Sequence, residues 1–360
     1  MNRLWNIGWG TVSACNMKCR FCYSRSKRNP AKDLTLKDWI FFIANNWEKI
    51  NSINYGTGEN SLTDDWFTLI QYIRKNHPHI LQAVTTNGYI GHIINKDLKK
   101  RQIVLASIDE MDISIDFANS EMHNRFRGQP DAFDWAIETL DFCHRNNKSS
   151  TIVSLGSSLN AYPDNLEGIF EIAKKFDSIV RMNLYRPTEG VDDFSRQFIL
   201  SPNKLVDLLR WINKEHTILS ISDALFSNLL TDQFESDPSG INSLRILPDG
   251  SVSPSTYLIH SEYIVGNISE PNVLNRLENN EQLNTIMREV IPEECAGCRY
   301  VEKCKGGVYD RRYLWNSTLD RKDPYCQYNP GEPEWEKLTI SKQAFQSVHH
   351  GYLPTMFFKP

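Results

Sequence analysis

No stretch of this sequence is long and apolar enough to span a bilayer, and residues 1–7 carry one arginine with no apolar segment behind it. The first absence excludes a membrane-spanning helix, and the second excludes a secretory signal. Neither sign of charge is in surplus. Forty Lys and Arg are interspersed with forty-four Asp and Glu, for a net charge of −4. That balance leaves no footprint for nucleic acid or an anionic membrane surface. Only fourteen residues precede the first cysteine, so no fused N-terminal binding module is expected. With no export signal, a reducing cytoplasm is expected, and the eight cysteines there read as metal ligands rather than disulfides. The chain has 360 residues, 40 % of them apolar, enough for one large domain and a smaller one.

Cys15, Cys19 and Cys22 form a CxxxCxxC run. Three thiolates cannot close a structural zinc site, which takes four ligands. They can hold three irons of a [4Fe–4S] cube and leave the fourth open to a cofactor or substrate. Phe21 and Tyr23 flank the last cysteine and would shield such a cluster. A ferredoxin-like site is the alternative from the residues alone.

Behind this loop the chain alternates between two periods. An apolar run over Leu4–Val12 predicts a strand, and later runs predict strands at Ile53–Thr57, Leu81–Thr86, Met111–Ile115, Ser150–Ser157 and Ile179–Tyr185. Helical spacing fills the intervals: Asp38–Ile50, Asp64–Lys75, Asn95–Ser107, Ala132–Cys143, Asn165–Phe176 and Asn203–Lys214. Six such repeats imply an α/β fold with a parallel sheet, a barrel or a doubly wound sheet, with ligand groups at the C-terminal strand ends. Near the C-terminus Cys295, Cys298, Cys304 and Cys326 make a closed set of four, suited to a second iron–sulfur cluster or a zinc ribbon. Cys143 sits alone on the apolar stripe of a helix and reads as core.

The first cysteine run resembles the cluster loop of the radical S-adenosylmethionine (SAM) superfamily. The resemblance implies a partial (β/α)6 TIM-like barrel over residues 1–220, with the open iron chelating SAM. Tyr55-Gly56-Thr57-Gly58-Glu59 is similar to that family's GGE motif, with Thr57 in place of the first glycine. This implies contacts from Gly58 and Glu59 to the SAM amino group. By the same resemblance Asn87 of Thr85-Thr86-Asn87-Gly88 lies near SAM, and Ser114 and Asp116 match an SxD motif. Arg127, favoured over Arg125 by its place before Gly128, would fork onto the SAM carboxylate. Asn183 and Tyr185 share one face of the sixth strand and would touch adenosine or substrate.

The C-terminal region resembles a SPASM/twitch-like extension of radical SAM maturases. Its markers are Ile246-Leu247-Pro248-Asp249-Gly250, Gly266-Asn267-Ile268 and Cys304-Lys305-Gly306-Gly307. The resemblance implies an auxiliary-cluster domain over residues 221–330 and a tail over 331–360. Ser255 and Val308 stand where a full SPASM domain has cysteines, so one auxiliary [4Fe–4S] cluster with four cysteines is expected. Thr256 stands where sulfatase maturases carry an aspartate base, which counts against formylglycine formation.

The expected function is a radical SAM enzyme. It would form a 5′-deoxyadenosyl radical and abstract hydrogen from a residue of a ribosomally made precursor peptide. Crosslinking, epimerisation and excision of a fragment all remain open as outcomes. A separate leader-peptide-binding protein and an external electron donor are implied as partners. The alternatives are a dehydrogenase of a small alcohol or sugar and, from another class, an iron–sulfur electron carrier or inactive binding protein.

Overall fold

The computed structural model describes residues 3–360 apart from 234, 287–289 and 344. Its strands are β1 (Trp5–Trp9), β2 (Ile50–Tyr55), β3 (Leu81–Thr86), β4 (Glu110–Ser114), β5 (Ser149–Gly156), β6 (Ile179–Leu184), β7 (Thr217–Ile221), β8 (Ser243–Ile246), β9 (Ser251–Ser253), β10 (Gly266–Asn267) and β11 (Met356–Lys359). They form one eleven-stranded sheet in the order β10-β9-β8-β1-β2-β3-β4-β5-β6-β11-β7. Strands β8 and β1 through β6 run parallel, each crossover carrying helix, as the alternating pattern requires. The sheet is curved but unclosed, an α/β open barrel.

The outer face of the strands is apolar. Ile7, Ile53, Val84, Ile113 and Ile152 are all at most 1 % exposed beneath the helices. Each such side chain stabilises the fold by about 1.5–3 kcal/mol. Trp9 packs edge-on to Phe42 at 5.2 Å and stacks on Tyr55, fixing the first helix against β1 and β2. The inner face is polar, with Asn54, Asp112, Ser114 and Arg181 buried in the lumen wall. Among the described residues no helix is long and apolar enough to cross a membrane.

Boundaries differ from the sequence expectation where local chemistry intervenes. The first helix runs Leu36–Asn46, because Asp38 closes a capping box with Thr35. A 3-10 turn then intervenes and β2 starts at Ile50, three residues early. The expected helix at Asn95–Ser107 starts at Leu98, because Asp97 caps it by accepting from Lys100 N–H, and an unexpected short helix, Tyr89–Ile94, precedes it. An unexpected helix, Ser120–Arg127, carries Arg127 in its last turn.

Two long-range features had no local signal. Strand β8, with β9 and β10 beyond it, extends the barrel sheet from β1, so residues within 221–330 share the barrel's own sheet. The tail returns to insert β11 antiparallel between β6 and β7. On the way it buries His349 against Asp112 (Nε2–Oδ2 2.8 Å) and presents Tyr352 to the lumen. Gly8 makes room for Tyr352, since a Cβ there would sit 1.5 Å from the phenol oxygen.

Candidate active site

One cavity opens at the C-terminal ends of the parallel strands, and Cys15, Cys19 and Cys22 all line it. The loop that carries them is pinned at both flanks: Ser13 N–H donates to Asp33 (2.7 Å), and Glu59 N–H donates to Ala14 O (2.9 Å). Donors ring the sulfurs. Cys15 Sγ accepts from Met17 N–H at 3.4 Å and from the Asn87 amide at 3.7 Å. Cys22 Sγ accepts from the Arg28 guanidinium at 2.9 Å. Burial raises the Cys15 thiol and pushes Cys19 up to about 11. Those two thiols, when free, are therefore neutral, and metal binding must displace their protons. Three sulfurs on one cavity wall, two of them accepting hydrogen bonds and the third, Cys19, donating to the Arg127 carbonyl at 3.5 Å, fit a cluster with three protein ligands. Phe21 shields the loop by stacking on Phe126 at 4.3 Å.

The predicted site residues divide in two. Gly58, Asn87, Ser114, Arg127, Asn183 and Tyr185 line the cavity. Gly58 has φ +64°, and a Cβ there would lie 2.4 Å from Ala14 O, so only glycine fits. Thr57 holds φ +85° despite its branched side chain, a strained conformation beside the cavity. Tyr185 is raised to about 12 by burial and is a neutral phenol at neutral pH.

Glu59 and Asp116 do not line the cavity; both are fully buried behind it. The Glu59 carboxylate accepts from Ser61 Oγ (2.6 Å), Thr86 Oγ1 (2.9 Å) and Asn87 N–H (2.9 Å). It ties the end of β2 to the end of β3 and holds Asn87 against Cys15. Asp116 accepts from Arg127 Nε at 2.6 Å and from Leu155 N–H at 2.9 Å, and so aims Arg127. Nearby His123 accepts from Asp116 N–H, and burial lowers it to about 4, so the ring is neutral. Arg125 is exposed on the same helix.

Sequence reasoning missed three lumen arginines. Arg181 pairs with Asp112 at 2.9 Å, and Arg186 pairs with Asp310 at 2.8 Å. Arg245 donates to Tyr23 OH (2.9 Å), Gly56 O (2.7 Å) and Thr57 Oγ1. The available signal was a lone charge inside an apolar strand, as in Ile179-Val180-Arg181-Met182 and Leu244-Arg245-Ile246.

The second cysteine set lies on turns around the helix Val301–Cys304. A buried bridge clamps these turns: Arg311 bonds Asp223 at 2.7 Å and Asp323 at 2.6 Å. Asp323 also accepts from Val308 N–H at 2.9 Å, and a Cβ on Gly307 would lie 2.3 Å from it. Among the described residues, neither cysteine set brings three sulfurs within 4.8 Å of one another; only Glu110, Asp112 and His349 make such a group. All eight cysteines are free of disulfides. Ser255 donates to Asp310 at 2.7 Å and Val308 is fully buried, so hydrogen bonds and packing occupy these two positions.

An open α/β barrel with a tricysteine loop at the mouth of its lumen defines a class of enzyme domain. Residues 10–161 match the radical SAM superfamily, and this segment is a radical SAM domain. That family uses a [4Fe–4S] cluster and SAM. The mycofactocin maturase MftC of Mycolicibacterium smegmatis is 24 % identical over 347 residues, covering 93 % of this chain and 85 % of that protein. The AdoMet-dependent heme synthase of Methanosarcina barkeri is 23 % identical, covering 91 % of this chain and 97 % of its own. The fold is similar to that of Streptococcus suis SuiB bound to its precursor peptide SuiA. Their TM-score is 0.68 at 14 % identity, covering 91 % of this chain and 77 % of SuiB.

Proposed function

We propose that this chain is a radical SAM maturase that acts on a residue of a ribosomally made precursor peptide. The observation that carries the reading is the single cavity in which the tricysteine loop meets the polar lumen wall. Cys15, Cys19 and Cys22 would hold the cluster that cleaves SAM. When bound, cluster and SAM supply the 5′-deoxyadenosyl radical that removes hydrogen from the substrate. Asn87 and Arg28 direct donors at the sulfurs and stabilise their charge. Gly58, Ser114, Arg127, Asn183 and Tyr185 are the residues placed to contact SAM or substrate. Glu59 and Asp116 act through Asn87 and Arg127 as positioning residues. Tyr352, from the tail, narrows the lumen and helps exclude water from a radical that would otherwise attack the protein.

Peptide as substrate is supported by a relative named as a maturase, MftC, and by the similar fold of SuiB, which is bound to its precursor peptide SuiA. A leader-binding partner and an electron donor belong to the same reading. We further propose that Cys295, Cys298, Cys304 and Cys326 hold one auxiliary [4Fe–4S] cluster. All four are free of disulfides, and the turns that carry them are held by the buried Arg311 bridge.

The test is anaerobic reconstitution followed by reduction with dithionite in the presence of SAM. Release of 5′-deoxyadenosine, lost on replacing Cys15, Cys19 and Cys22 with Ala, is expected. SAM left intact by a protein that still shuttles electrons would overturn the enzyme reading in favour of an electron carrier.

A further inference from the structure

Five arginines line the cavity, Arg28, Arg127, Arg181, Arg186 and Arg245, and no Asp or Glu does. Three of the five have a carboxylate behind them: Asp116, Asp112 and Asp310. Arg28 instead faces the Cys22 sulfur, and so faces the anionic thiolates of a loaded loop. Arg245 is the one left over. It is 1 % exposed, and among the described residues no carboxylate forms an ion pair with it. Its contacts are neutral oxygens, the Tyr23 and Tyr352 phenols, the Thr57 hydroxyl and the Gly56 carbonyl. Its Nε donor has no partner at all.

A buried cation without a counter-charge is costly, and arginine cannot escape by losing its proton. SAM carries a carboxylate but also an ammonium and a sulfonium, so it brings no net negative charge into the cavity. A group of the substrate is the other source of an anion. Arg245 faces the lumen from β8, opposite Gly8 of β1, with Tyr23 of the cysteine loop on one side and Tyr352 of the tail on another. A carboxylate oxygen can accept from the unpartnered Nε–H, one arm of the guanidinium fork.

We propose that Arg245, flanked by Tyr23 and Tyr352, is a subsite for a carboxylate of the substrate. The hydrogen removed then lies near an acidic group. The proposal rests on the reading of this cavity as the radical site, and for the word peptide it rests on the maturase reading. Substrate and SAM both carry carboxylates, so the experiment must separate these two sources.

The probe is sodium acetate against acetamide on the reconstituted protein, at constant ionic strength set with sodium chloride. The readout is the melting midpoint with and without saturating SAM. A tenfold excess of acetate over its Kd should raise the wild-type midpoint by about 2 °C over acetamide. That shift should persist with SAM bound and vanish in Arg245→Gln. Arg245→Lys, which keeps the charge and loses the fork, should show a reduced shift and covers the case in which Gln prevents folding. Equal midpoints in acetate and acetamide, or a shift untouched by either substitution, overturn the proposal. A shift abolished by SAM also overturns it, because Arg245 then serves the cofactor's own carboxylate. No peptide turnover enters these measurements, so an unmodified peptide would count against the maturase reading alone.

Discussion

Replacing Glu59 distinguishes a residue that touches the cofactor from one that holds the wall in place. Its carboxylate is fully buried and satisfies Ser61 Oγ, Thr86 Oγ1 and Asn87 N–H at 2.6, 2.9 and 2.9 Å. Glu59→Gln keeps the volume but turns one acceptor into a donor. Ser61 can rotate its hydroxyl to accept, whereas Thr86 Oγ1 already accepts from Gly88 N–H at 3.1 Å. The amide oxygen therefore stays on Asn87, and the net loss is about 1–2 kcal/mol. Glu59→Ala strands three buried donors and should cost about 3–5 kcal/mol. In a chain of this length these losses lower the melting midpoint by about 2 °C and about 6 °C. SAM affinity, read by equilibrium dialysis, should fall little in the Gln variant and steeply in the Ala variant, where Asn87 loses its anchor. Burial raises the Glu59 carboxyl above its ordinary value, and its hydrogen bonds pull it part of the way back. A raised carboxyl contributes stability below its unfolded value near pH 4.5, and loses it as pH rises through the folded value. The stability gap between wild type and Glu59→Gln should therefore narrow from about pH 4.5 upward. An unchanged midpoint together with a tenfold weaker SAM affinity in the Gln variant would refute this reasoning.

Other perturbations test other parts of the molecule. Arg311→Ala leaves Asp223 and Asp323 as uncompensated buried charges and should cost about 3–5 kcal/mol by denaturant titration, with loss of the iron held by the C-terminal cysteines. A cost below about 1 kcal/mol would mean the bridge does not clamp those turns. Thr57→Gly should relieve about 1–2 kcal/mol of strain at φ +85° while removing a hydroxyl that Arg245 and Tyr23 share, so the net stability change should be small and of either sign. A loss above about 3 kcal/mol would show that the hydroxyl, not the backbone, decides this position. Cys295→Ala with Cys298→Ala should halve iron from about eight to about four per chain, as two four-iron cubes require; zinc in the missing half would contradict the auxiliary cluster.

Much of this architecture is legible before folding, because its signals are local. The CxxxCxxC spacing puts three sulfurs in one loop whatever the rest does. The strands β2 to β6 announce themselves by apolar runs between helical periods. What sequence cannot show is depth and direction. Ser114 ends β4 and Glu59 follows β2, yet Ser114 faces the cavity and Glu59 turns behind it to bind Asn87. The tail illustrates a second limit. Its aromatic content signals packing, but the insertion of β11 between β6 and β7 depends on pairing across more than a hundred residues. Arg181 and Arg245 were visible as charges inside apolar strands, and only the sheet register brings both to one lumen.

The most direct test of the account follows a single hydrogen atom. A precursor peptide from a neighbouring short reading frame, made with deuterated amino acids one type at a time, is incubated with reconstituted protein, SAM and dithionite. The account predicts deuterium in the 5′-deoxyadenosine when one residue type is labelled, with a matching mass change in the peptide, both lost when Cys15, Cys19 and Cys22 are replaced. If 5′-deoxyadenosine forms without deuterium from any labelled residue while a small alcohol or sugar is oxidised, the peptide account is contradicted.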